Sequence, residues 1–133
     1  MSKAHLFAPM EWVKEQFNKL NSNTECVELT EDDIVCTNGT TMKNFVGYKY
    51  KNRIEFSCFL QRPATSGVSF IQFKNVKCKG SFVNVQPRQD TYIALKAMVQ
   101  GNPNNALYIT TSMETAYTNA LDCWVNGIVF LEE

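Results

Sequence analysis

The residue types able to do chemistry are few and poorly arranged for it. The chain holds one histidine, His5, five cysteines, Cys26, Cys36, Cys58, Cys78 and Cys123, and 13 acidic residues. Nucleophilic catalysis by Ser or Cys needs a base oriented by a third group. His5 stands in an N-terminal arm ahead of Pro9, so no base is in place. A zinc site fails for the same reason, because the cysteines are widely spaced, form no CxxC pair and have no neighbouring histidine. They read instead as free thiols buried on strands. Glycoside cleavage needs two carboxylates across one cleft, and nothing in the spacing of Glu55, Asp90, Glu114 and Asp122 brings two together. Neither GxxxxGK[ST] nor GxGxxG occurs, so nucleotide phosphates have no cradle. The expectation is a protein that is not an enzyme and uses no metal or cofactor.

Charge is more informative than catalytic chemistry. Residues 1–42 hold three Lys against seven acids, residues 43–96 hold ten Lys and Arg against two acids, and residues 97–133 hold four acids and no basic residue. The segments carry −4, +8 and −4, and cancel. A basic middle reads either as a surface for a polyanion or as strands carrying complementary charges across a sheet. Trp12, Trp124 and five tyrosines could stack on sugars or bases, but Trp124 reads as core, since large aromatics dominate the buried surface of small β domains.

The elements that must position these residues are mostly strands. In Phe45 to Leu60, every second residue is apolar on either side of Lys51-Asn52: Val46, Tyr48 and Tyr50, then Ile54, Phe56, Cys58 and Leu60. This predicts a β-hairpin burying those seven and leaving Lys49, Lys51, Arg53, Glu55 and Ser57 in water. Further strands are predicted over 25–29, 33–37, 68–74, 81–85, 91–99 and 106–112, with an acidic turn at Thr30-Glu31-Asp32 and loops at 62–67 and 100–105. Residues 113–121 read as a long loop or one helical turn. Residues 122–131 either turn at Asn126-Gly127 or run through as one terminal strand with a bulge there. Short strands about ten residues apart, with almost no helix, predict an all-β chain: an antiparallel β-sandwich or jelly roll.

One short N-terminal helix precedes it. Pro9 suits a first helical turn, and Met10, Val13, Phe17 and Leu20 are spaced three, four, three, the rhythm of a coiled-coil seam. The helix packs either on its own sheet or against copies of itself; its place outside the strand-rich body, ahead of a polar link, favours the second. Residues 1–23 are therefore read as an arm and oligomerisation neck and residues 24–133 as the β head. No apolar run reaches the roughly 18 residues of a membrane span, and no signal-peptide core opens the chain, so no membrane insertion is expected and synthesis in a cytoplasm is.

The segments Gly47 to Leu60 (GYKYKNRIEFSCFL) and Cys123 to Glu133 (CWVNGIVFLEE) resemble, in pattern, the hairpin and closing strand of the C-terminal receptor-binding or fibre-tip domains of tailed bacteriophages. The likeness covers roughly residues 43–133. It implies a homotrimer of β-sandwich heads that is attached to a virion tail or capsid protein and binds a host surface polysaccharide without metal or cofactor. The chain departs from that family in lacking a long shaft and a glycine-rich tip, which widens the reading to a head fibre, a baseplate tip or an accessory virion protein.

Independently of that resemblance, strands that simply alternate in direction gather the turns at 51–52, 75–80 and 100–105 at one end, and place the helix at the other with residues 62–67 and 86–90. Lys49, Lys51, Arg53, Lys74, Lys77 and Lys79 then gather with Asn52, Asn102, Asn104 and Asn105 as a basic, Asn-rich end suited to an anionic polymer such as a teichoic acid or acidic polysaccharide. Greek-key crossings would redistribute these loops. The rival reading is a single-stranded nucleic-acid-binding module with Tyr48, Phe59 or Phe73 stacking on bases. A third is a purely structural capsid or assembly protein.

Overall fold

The computed structural model describes residues 26–88, 94–111 and 113–132. The expected helix, with Met10, Val13, Phe17 and Leu20, lies outside the described residues.

Among the described residues nine strands form one antiparallel sheet: β1 (Val27–Leu29), β2 (Ile34–Cys36), β3 (Thr41–Lys49), β4 (Arg53–Arg62), β5 (Ser69–Phe73), β6 (Cys78–Pro87), β7 (Leu95–Val99), β8 (Ala106–Thr111) and β9 (Leu121–Leu131). Their order is β1-β3-β4-β9-β6-β7-β8-β5-β2. The two edge strands are thus neighbours in the chain, separated by residues 30–33. Five peptide steps from Leu29 to Ile34 reach at most about 18 Å. The sheet must therefore curl until its edges nearly meet, and a single core fills the space inside. Phe56 of β4 and Phe73 of β5, on opposite sides of the curl, touch edge to face at 5.3 Å.

The link between the edges is a one-turn 3-10 helix, Glu31–Asp33. Thr30 caps it: its Oγ1 accepts the Asp32 N–H at 3.3 Å, and its own N–H donates to Asp33 Oδ2 at 2.8 Å. This turn does not fold β2 back on β1. Because β1 is antiparallel to β3 and β2 to β5, both edges run the same way, and no ladder joins them. The result is a seam between two three-residue strands.

Pairing explains which expectations on β3 fail. Tyr50 N–H donates to Arg53 O at 2.7 Å, so the hairpin turns on Lys51-Asn52 as expected. That turn sets Lys49 opposite Ile54, Gly47 opposite Phe56 and Tyr48 opposite Glu55. Directly opposed residues share a face. Ile54, Phe56, Cys58 and Leu60 are buried as predicted, but Val46 and Tyr48 lie on the outer face and are exposed, while Lys49 faces inward and is partly buried. Inside, the missing side chain of Gly47 makes room for the Phe45 ring, whose Cζ would lie 2.7 Å from a β-carbon there.

One further correction has the same cause. Trp124 is not core: it alternates outward between the fully buried Cys123 and Val125, and at 45% exposure it covers Phe59, with ring centroids 4.6 Å apart. Of the two readings of residues 122–131, the single terminal strand holds: β9 runs through Asn126-Gly127 between β4 and β6, with no bulge at that glycine. Residues 113–120 form a loop joined to β8 by a bridge between Ala116 and Thr110.

Of the cysteines, Cys58, Cys78 and Cys123 are buried as read, whereas Cys26 and Cys36 are exposed. Burial pushes the Cys58 and Cys123 thiols up to about 12 and the Cys78 thiol up to about 11, from an ordinary 9.0. All three stay protonated in the fold at pH values where an unfolded thiol ionises. Between about pH 9 and 11 the unfolded chain thus binds fewer protons, and stability falls as pH rises, by up to about 4 kcal/mol per pH unit for three thiols. Below about pH 8 the loss is absent. The urea midpoint is expected to fall from pH 7.5 to pH 10, and to fall less in a Cys58→Ala/Cys123→Ala variant; equal losses would contradict this account.

Candidate anion-binding site

Strand direction defines two ends. β3, β5, β7 and β9 finish at one end, where β4, β6 and β8 begin. The turns around Lys51, Lys77 and Asn102 therefore gather there, while residues 63–68 and Arg88 lie at the other end. The expected position of the chain entry is corrected: Val27 pairs with Lys49, so Cys26 enters the body at the lysine end and not opposite it. The reason is the seam. A meander counts β1 to β2 as a reversal, but the 3-10 link keeps the direction, which shifts the parity by one.

Backbone bonds tie the turns into one frame. Leu131 N–H donates to Asn52 O at 2.9 Å, Glu132 N–H to Lys77 O at 2.8 Å, and Asn102 N–H to Cys78 O at 2.7 Å. Within this frame lies an open cleft of about 460 Å³ lined by Lys49, Lys51, Asn75, Val76, Lys77, Asn102, Leu131 and Glu132. Two lysines from the β3-β4 hairpin and one from the β5-β6 connection line it together with one acidic residue, Glu132. Among the described residues no carboxylate is in ion-pair range of Lys49, Lys51, Lys77 or Lys79. Converging cations without partners make a site of positive potential.

The other expected site residues are distributed unevenly. Lys79 lies alongside, with its Cα 3.8 Å from where a β-carbon on Gly101 would sit. Arg53 is engaged elsewhere: it pairs with Glu55 at 3.2 Å, donates to Asn52 Oδ1 at 3.1 Å and stacks 4.0 Å from the Tyr50 ring centroid. Asn105 serves the fold, being buried with φ +49° and accepting the Cys78 N–H on Oδ1 at 2.9 Å. Asn104 is exposed, and its carbonyl accepts from Gln72 Nε2 at 2.8 Å. Lys74 is held to Asp32 O at 2.8 Å. Lys49 was expected at this end but on the hairpin's water-facing side; it faces inward instead and lines the cleft. Counting back from the Lys51-Asn52 turn would have found that face, since the turn sets Lys49 opposite Ile54.

A second surface, on the outer face of β3-β4-β9-β6, carries Tyr48, Phe82, Trp124 and Phe130 around an Asn84–Asn126 side-chain hydrogen bond of 3.3 Å. It lies on the outer face of the sheet, and its nearer members, Tyr48 and Phe130, adjoin the cleft residues Lys49 and Leu131 in the chain. Of the aromatics considered for base stacking, Phe73 is in the core and Phe59 lies buried beneath Trp124. Comparison with protein-family models, curated proteins and solved structures gave no match.

Proposed function

We infer that this chain is a non-catalytic binding protein of the bacteriophage virion type, a sandwich-like β head whose lysine end holds an anionic polymer of the host surface. The single observation that carries the binding part is the convergence of Lys49, Lys51 and Lys77 on one cleft, with no carboxylate in ion-pair range among the described residues. Phosphodiester or carboxylate groups fit such a site, and long-range attraction steers a polyanion to it. The virion attribution rests on the resemblance of residues 47–60 and 123–133. Its support is that these two stretches are adjacent in space, on the neighbouring strands β3, β4 and β9.

In this reading Met10, Val13, Phe17 and Leu20 join three copies. Because Cys26 enters beside Lys49, that neck draws three lysine ends together, and a repetitive polymer gains avidity by engaging them at once. Host-cell or polyglycerol phosphate binding should be lost in a Lys49→Glu/Lys51→Glu/Lys77→Glu variant that elutes at the wild-type size. Unchanged binding would overturn the reading. Against the nucleic-acid module stands the burial of two of its three stacking candidates, Phe73 in the core and Phe59 beneath Trp124.

A further inference from the structure

The lysine cleft continues into the seam of the sheet. A second cleft of about 160 Å³ shares Lys49, Asn75 and Val76 with the first, and its walls include Leu29 of β1, Ile54 of β4 and Phe73 of β5. It exists because β1 and β2 have no ladder between them, so nothing zips the side chains on either side of the gap. Its far wall is the core itself, with Ile54 fully buried and Phe73 at 2% exposure. Lys49 stands at the junction of the two clefts. The acid at the seam, Asp33, already accepts the Thr30 N–H.

A polar rim of cations opening onto an apolar slot is the arrangement of a site for an amphiphile, in which a few placed charges orient the ligand and apolar contact retains it. Resting on the reading of the lysine end given above, the geometry points to a short alkyl or aryl group that carries a phosphate or a free carboxylate as the unit recognised. Its anionic group lies over Lys49, Lys51 and Lys77, and its apolar group enters the seam against Leu29, Phe73 and Val76. At about 30 Å³ per water-sized group, the slot takes roughly five heavy atoms. A surface polymer carrying compact apolar substituents fits this size, and a full lipid chain does not.

The test is a chain-length series of alkyl phosphates on the full-length protein by calorimetry. Each methylene that enters the slot improves affinity by about fourfold at most, so pentyl phosphate is expected to bind at least about tenfold tighter than methyl phosphate, with no further gain at dodecyl phosphate. Leu29→Trp, which fills the slot, should remove the pentyl advantage while keeping polyglycerol phosphate binding. A flat series in a protein that still binds polyglycerol phosphate overturns the amphiphile site and leaves the polymer reading intact. Gain continuing to dodecyl phosphate assigns the slot to lipid and overturns the short-group inference. Absence of all polyanion binding removes the polymer reading itself. Should Leu29→Trp misfold, the wild-type series alone decides.

Discussion

Gly127→Ala is expected to cost about 3 kcal/mol or more, a large share of the roughly 5–15 kcal/mol by which a domain of this size is stable. A β-carbon at this position would lie 2.1 Å from the Phe82 carbonyl oxygen and 2.7 Å from the Val83 Cα. Both atoms are backbone, so no rotamer relieves the contact, and β6 would have to part from β9 in the middle of the sheet. Overpacking of this kind commonly costs 1–3 kcal/mol when side chains can shift, and more when they cannot. Gly80→Ala is the control, since nothing lies within 4 Å of its would-be β-carbon. That variant is expected to match wild type or gain about 0.4–1 kcal/mol through the unfolded state. Urea midpoints of the two variants check the pair, and equal midpoints would contradict the close approach of β6 to β9.

The second large effect is at Arg62, which is 1% exposed at the end away from the lysines. Its Nη1 donates to Val68 O at 3.0 Å and Gly67 O at 3.5 Å, and Nη2 donates to Tyr117 O. The guanidinium carbon lies 3.7 Å from the Phe70 ring centroid. No carboxylate is among these partners. Burial pulls the guanidinium pKa below its ordinary value, partly opposed by Cys123. Arg62 therefore clamps the loops at 63–68 and 113–120 through their carbonyls, closing that end of the curl. Arg62→Ala is expected to destabilise by about 3–5 kcal/mol, because it opens a cavity and strands buried carbonyls together. Arg62→Met keeps most of the volume and isolates the polar part of the loss, expected at about 2 kcal/mol. Wild-type stability in Arg62→Met would show that packing alone matters there.

Most strands were legible because their alternation is strong and their punctuation clear. The predicted strand at 68–74 corresponds to Ser69–Phe73, and that at 106–112 to Ala106–Thr111. Faces were legible only where apolar alternation and turn agreed. On β4 they did, but on β3 the apolar residues Val46 and Tyr48 point outward, because a two-residue turn at Lys51-Asn52 forces Tyr50 opposite Arg53. Hydrophobicity and turn geometry conflicted, and the covalent constraint of the turn won. Trp124 misled for a related reason: its size suggested burial, while its neighbours Cys123 and Val125 had already taken the inner face. The seam was hidden in Thr30–Asp33, a capping signature that reads as an ordinary turn but leaves the chain direction unchanged. The gathering of the three turns, two of them basic, was legible because it depends only on the parity of β3 to β8, which the seam does not disturb.

The most direct test of the lysine end is backbone amide mapping by NMR as polyglycerol phosphate is titrated into the protein. The account predicts shifts confined to residues 49–53, 75–79 and 101–105, fading as salt is raised, with Tyr48 and Trp124 on the outer face of the sheet unmoved. Shifts centred on Trp124 and Phe82, or none at all at polymer concentrations that coat host cells, would contradict it.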